Sequence, residues 1–86
     1  MKSLHKVAVA ALMHKDVLIG IEVDGWYEFY GNHATEIALI LHLVHTNIEA
    51  DGVNVPKIGF PKDAIERYVT RLVNAGVKVA LLPETN

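Results

Sequence analysis

Five histidines are the side chains best suited to hold a metal or move a proton in this sequence. His42 and His45 stand three apart in a helix-patterned run, a spacing at which two side chains can share one ligand. Zinc, however, wants three or four ligands, with thiolate or carboxylate support. The chain has no cysteine, and no third ligand is fixed by spacing. Metal binding is therefore not expected. Nucleophilic catalysis fares no better, because no nucleophile sits in a recognisable elbow. Gly20, Gly25, Gly31, Gly52, Gly59 and Gly76 are too scattered to cradle a phosphate. Neither a cofactor nor an enzymatic activity is expected, which leaves binding. Lys62, Arg67 and Arg71 fall on one side of a helical run and make the one basic cluster worth naming, although a solvated face is the plain reading of such a cluster. Glu22, Asp24 and Glu28 gather acid around Trp26, and that field repels phosphate.

The composition limits what can position these residues. A chain of 86 residues has room for one core, so residues 1–86 read as a single domain. Hydrophobic residues make up 51% and charged residues 21%, too apolar for a disordered tail. The formal net charge of −2 argues against tight binding of phosphate by bulk electrostatics. The apolar run Val7–Met13 is broken by His14, Lys15 and Asp16; it is too short to span a bilayer and lacks a small-residue cleavage site. An intracellular protein with no membrane contact is expected.

Leu4, Val7, Ala8, Ala11 and Leu12 keep helical spacing. Val17–Val23 is β-branched and apolar on both faces, the pattern of a central strand. Asp24-Gly25 follows, the strongest local signal for a hairpin, with Trp26–Tyr30 returning. Asn32 is placed to cap a helix over about 33–45, with Ile37, Ile40, Leu41 and Val44 as its stripe. Residues 46–54 predict a loop or wide hairpin around Asp51-Gly52. Val55–Phe60 reads as a short strand, at an edge because of Pro56. Pro61 suits a first helical turn, and Ile65, Tyr68, Val69, Leu72 and Val73 form the stripe of a helix over about 62–75 that Gly76 ends. Val77–Leu81 alternates as a last strand. The order implies an α/β or α+β fold, a small mixed sheet centred on Val17–Val23 and flanked by helices.

The segment from Asp24 to Tyr30, DGWYEFY, resembles the "GDFYELF" segment of the N-terminal mismatch-recognition domain of MutS proteins. A second block agrees. Ile58-Gly59-Phe60-Pro61, then Ala64, Tyr68, Leu72-Val73, Gly76 and Val79-Ala80, resembles that family's "AGIPxHAxxxYLxxLVxxGxxVAIxEQ". The resemblance covers nearly the whole chain, and the two blocks together are specific. It implies a mixed α/β unit in which the first aromatic of Phe-x-Glu wedges into DNA from the minor groove and the glutamate hydrogen-bonds the mispaired base. Carried over by position, Trp26 is the wedge and Glu28 the base contact. Inserted apolar side chains do kink duplexes, and an indole stacks on a base with ~1–3 kcal/mol.

The departures are specific. Tryptophan replaces the family's phenylalanine, the basic "TKR" after the first core helix is here Thr46-Asn47-Ile48, and the final "EQ" is Pro83-Glu84. The resemblance implies a free-standing copy of the first domain, without clamp, lever or ATPase domains, of the kind a viral or mobile-element genome carries. The expected function is a non-catalytic nucleic-acid-binding module with Trp26, Glu28, Lys62, Arg67 and Arg71 as its contacts, engaging DNA weakly. The alternative is a protein-interaction module on the same fold. Read without the resemblance, the plain reading of Trp26 is a core aromatic and that of Glu28 a solvated strand residue. A basic rim beside Trp26 favours DNA; an acidic rim with an exposed apolar patch favours a protein partner.

Overall fold

Two Asp-Gly dipeptides set the sheet. Asp24 and Gly25 have φ of 48° and 83°, and Asp51 and Gly52 have 53° and 77°, the paired positive values that a two-residue hairpin turn demands. The first joins β1 (Val17–Val23) to β2 (Trp26–Tyr30), and the second joins β3 (Thr46–Ala50) to β4 (Val53–Pro61). Residues 46–61 thus form a hairpin, the second of the two alternatives the sequence offered around Asp51-Gly52, but a tight one whose returning strand is longer than Val55–Phe60. A computed structural model describes residues 16–84; the helix-patterned run from Leu4 to Leu12 and His14 lie outside the described residues.

A fifth strand, β5 (Lys78–Leu82), runs parallel to β1, and the order across the sheet is β3-β4-β2-β1-β5. Among the described residues the mixed sheet and two helices make an α+β fold. Two expectations are corrected by this order. The middle strand is β2, with β1 between it and β5. And β4 lies inside the sheet despite Pro56. In an antiparallel ladder one residue's N–H and C=O face the same neighbour. The Pro56 carbonyl accepts from Gly31, just beyond the end of β2. Its missing N–H therefore costs no bond between β4 and β3.

Helix α1 (Asn32–Leu41) starts directly from β2, with Gly31 at φ 63° as its cap residue and no side-chain cap. Asn32 is the first helical residue, not the cap, because Gly31 makes the whole turn out of the strand. The helix also ends earlier than its periodicity suggested. His42 adopts a left-handed conformation (φ 56°), and its backbone N–H donates to the Ala38 carbonyl. The chain has to turn there to reach β3 at Thr46. His42 and His45 therefore do not share a helix face, and Val44, expected in the stripe, is 92% exposed. Pro61 closes β4 and precedes a short 3-10 turn, Lys62–Ala64, which leads into α2 (Ile65–Asn74). At its end Gly76 donates to Val73 and Val77 to Leu72, the paired bonds of a Schellman cap, with Gly76 at φ 91°.

Both helices cover one sheet face. Leu18, Phe29, Ile58 and Phe60 from the strands pack with Ala34, Ile37, Ala38, Leu41, Ile65 and Leu72. Phe29 meets Phe60 edge-on at 6.1 Å between ring centres. Gly20 makes room for Phe29: a Cβ there would stand 2.6 Å from the Phe29 Cζ. Val73, counted in the α2 stripe, is 54% exposed, whereas Leu72 is fully buried. The other face holds a smaller cluster, Ile21 and Tyr30 with Val23, Ile48, Val55 and Leu82 against them.

One polar contact ties α1 to β1: the Ile19 N–H donates to His33 Nδ1 at 3.2 Å. Burial pushes His33 below its ordinary 6.5, with the Glu36 carboxylate pulling weakly the other way. A protonated Nδ1 cannot accept this bond. The unfolded chain takes up the proton first as pH falls, so this contribution to stability is full above about 6.5 and declines as pH drops toward the folded value. His33→Asn keeps an acceptor and removes the titration. Urea midpoints from roughly pH 5 to 8 should then fall less steeply on the acid side in the variant; parallel curves would refute the assignment.

Candidate functional site

The pleat decides which side chains meet. Alternate residues of β2 project to the face opposite the helices: Trp26, Glu28 and Tyr30. Register places Trp26 beside Val23 and Pro61, Glu28 beside Ile21 and Gly59, and Tyr30 beside Lys57. Trp26 is 47% exposed, so it stands out from the sheet at the end of the hairpin instead of filling the core. Gly59 lies between the two functional candidates. A Cβ on it would sit 3.6 Å from the indole Cε3 and 3.7 Å from the Glu28 Cγ, so the indole and the carboxylate stem flank an open strip of backbone.

Glu28 is not the freely solvated strand residue that the sequence allowed. Lys57 Nζ lies 2.9 Å from its Oε2, and the side chains are 30% and 15% exposed respectively. The Tyr30 hydroxyl donates to Oε1. Burial, and then the hydrogen bond and charge of Glu28, push the Tyr30 phenol well above its ordinary value, so it stays a donor throughout the physiological range.

The basic cluster is divided. Lys62 sits at the hairpin end, where its backbone N–H donates to the Gly25 carbonyl and its ammonium reaches Glu22 at 2.9 Å. That carboxylate holds the Lys62 ammonium above its ordinary value. Lys62 therefore pairs with Glu22 of β1. Arg67 and Arg71 ride on α2, which packs on the other face, and the Arg67 guanidinium lies 5.4 Å from the centre of the Tyr68 ring. The fold thus brings Trp26 and Glu28 together, sets Lys62 at their margin, and puts Arg67 and Arg71 across the sheet from them. The cation that register places on the same sheet face as Trp26 and Glu28 is Lys57, opposite Tyr30, and sequence reasoning missed both of these residues. Alternation within β4 puts Lys57 on the side of Gly59, but only the β2–β4 pairing shows that it meets Glu28. Asp24 and Asp63 have no ion-pair partner among the described residues. Among the described residues no group of three or more potential ligands could hold a metal, and no helix is long and apolar enough to cross a membrane.

Residues 5–86 match the family described as MutS domain I. The chain is similar to the DNA mismatch repair protein MutS of Parabacteroides distasonis, 40% identical over 70 residues, which covers 79% of this chain and 8% of that protein. It is likewise similar to the protein of that name from Methanosarcina barkeri, at 37% over 70 residues and the same two shares, 79% and 8%. The MutS of Christiangramia forsetii is 34% identical over 70 residues, covering 81% of this chain and 8% of the relative. The chain therefore spans a small fraction of the length of these relatives.

Proposed function

The chain belongs to the MutS domain I family, and on that premise we propose that it is a non-catalytic DNA-binding module that recognises distorted or mispaired sites. Trp26 acts as the wedge and Glu28 as the base contact. The observation that carries this reading is the placement of Trp26, half exposed at a hairpin end, with Glu28 anchored beside it on the same face, opposite the two described helices. A stacking wedge has to be rigid and accessible, and a base contact has to be held still; both requirements are met by residues two apart on one strand.

The electrostatics set the strength. Lys57 and Lys62 are paired with carboxylates, and Asp24 and Asp63 add acid near the hairpin end. Binding should be weak, with few phosphates neutralised. Each contact contributes ~0.9 to the slope of log K against log salt, so two or three contacts predict a slope of roughly −2 to −3. Titration of labelled mismatched, matched and single-stranded DNA at two salt concentrations tests this. A preference for the mismatched duplex with a shallow slope supports the reading. No preference, or a slope implying eight or more contacts by one monomer, would contradict it. The separation of Arg67 and Arg71 from Trp26 favours a second reading, a protein-docking face anchored on the indole. Capture of a protein partner lost on Trp26 substitution, with no DNA binding, would select it.

A further inference from the structure

We propose that Lys57 and Tyr30 are positioning residues that fix Glu28 as a charged, oriented acceptor, so that the base it meets has to present an N–H. This inference rests on the reading of Glu28 as the base contact and names the chemistry which that contact selects.

Both oxygens of Glu28 are engaged from within the protein, Oε2 by the Lys57 ammonium at 2.9 Å and Oε1 by the Tyr30 hydroxyl. A carboxylate held by an ammonium and a phenolic O–H has no proton to give, and it offers only lone pairs. The partners are themselves fixed. Tyr30 is 5% exposed and packs on Ile21, and Lys57 stands directly across from Tyr30 on β4. Rotating Glu28 to a new geometry would strand a buried hydroxyl, which is costly. Each carboxylate oxygen still has acceptor capacity beyond one partner. The side chain keeps 15% of its surface open, on the face where Trp26 stands.

What such a group can recognise follows from its charge. A ring imino N–H or an exocyclic amino group donates to it. A ring nitrogen lone pair or a carbonyl oxygen presents acceptor to acceptor and is repelled. The arrangement belongs to this chain: the family segment quoted above ends on phenylalanine where Tyr30 stands, and phenylalanine has no hydroxyl to offer.

The test uses two labelled duplexes, identical except that one carries an unpaired thymine and the other an unpaired N3-methylthymine, whose imino N–H is gone. Binding is measured for the wild type, Lys57→Met, Tyr30→Phe, Glu28→Ala and the double variants, with thermal melts showing that each is folded. The wild type should prefer thymine by about tenfold, the scale of a hydrogen bond to a charged group. Lys57→Met and Tyr30→Phe should each lower that ratio by at least about threefold, leave binding of the methylated duplex unchanged, and add nothing once Glu28 is alanine, which has no acceptor to offer. If Glu28→Ala abolishes the preference but the other two variants keep it, Glu28 needs no positioning, and this inference fails while the site reading stands. If Glu28→Ala leaves the ratio intact, the reading of Glu28 fails and takes the inference with it. If Lys57→Met weakens both duplexes equally and reduces the salt slope by about one, Lys57 is a phosphate contact, and the proposal is overturned.

Discussion

Trp26→Ala should abolish any preference for distorted over matched DNA and leave the chain folded. The indole is 47% exposed, so part of its surface is already in water. The remainder rests by Gly59 and Val23, at the margin of the smaller cluster and not in the main core. Truncation should therefore cost less than the ~3–5 kcal/mol of a core tryptophan. For a domain of this size each 1 kcal/mol lowers Tm by roughly 4–8 °C, so the variant should melt several degrees lower and remain folded at room temperature. The stacking energy lost is ~1–3 kcal/mol, which corresponds to roughly a 5- to 150-fold fall in affinity for the distorted site. Melting and DNA titration on the same protein separate the effects. A folded variant with an intact preference would end the wedge assignment.

Leu72→Ala should have the opposite profile. Leu72 is fully buried between α2 and the sheet, in the cluster that contains Phe29 and Phe60. Removing it from a packed core costs ~2–5 kcal/mol, because the lost transfer energy is joined by a cavity that the neighbours fill only in part. At ~0.05–0.15 kcal/mol per residue the whole chain is stable by roughly 4–13 kcal/mol, so the loss is a large share of the total. The neighbouring position supplies the control. Val73 is 54% exposed, and Val73→Ala should change stability by less than about 0.5 kcal/mol. Urea denaturation of the two variants checks the pair; equal losses would mean that α2 is rotated from the orientation described.

The local chemistry of the chain was legible without coordinates. Asp24-Gly25 dictates its hairpin because the turn needs positive φ twice, and Gly76 ends α2 because the Schellman cap needs one left-handed residue. The alternation of β2 was readable too, and with it the fact that Trp26 and Glu28 share a face. The α2 stripe was right at Ile65 and Leu72 and too generous at Val73, since periodicity gives the direction of a face but not how far the sheet beneath it extends. Asp51-Gly52 left a loop and a wide hairpin both open, and the polar residues around it hid how tight the hairpin is, because β3 is an edge strand and needs little apolar surface.

What the sequence by itself determined was a small α+β domain with an aromatic hairpin and the two blocks that mark its family, because turn geometry, side-chain alternation and capping act within a few residues. What only the tertiary structure decided was the company each candidate residue keeps. Glu28 gains Lys57, twenty-nine positions away, Lys62 gains Glu22, and the arginines of α2 are carried to the other side of the sheet from Trp26. Strand order and register set these pairings, and both depend on how the whole core closes rather than on any local run of residues.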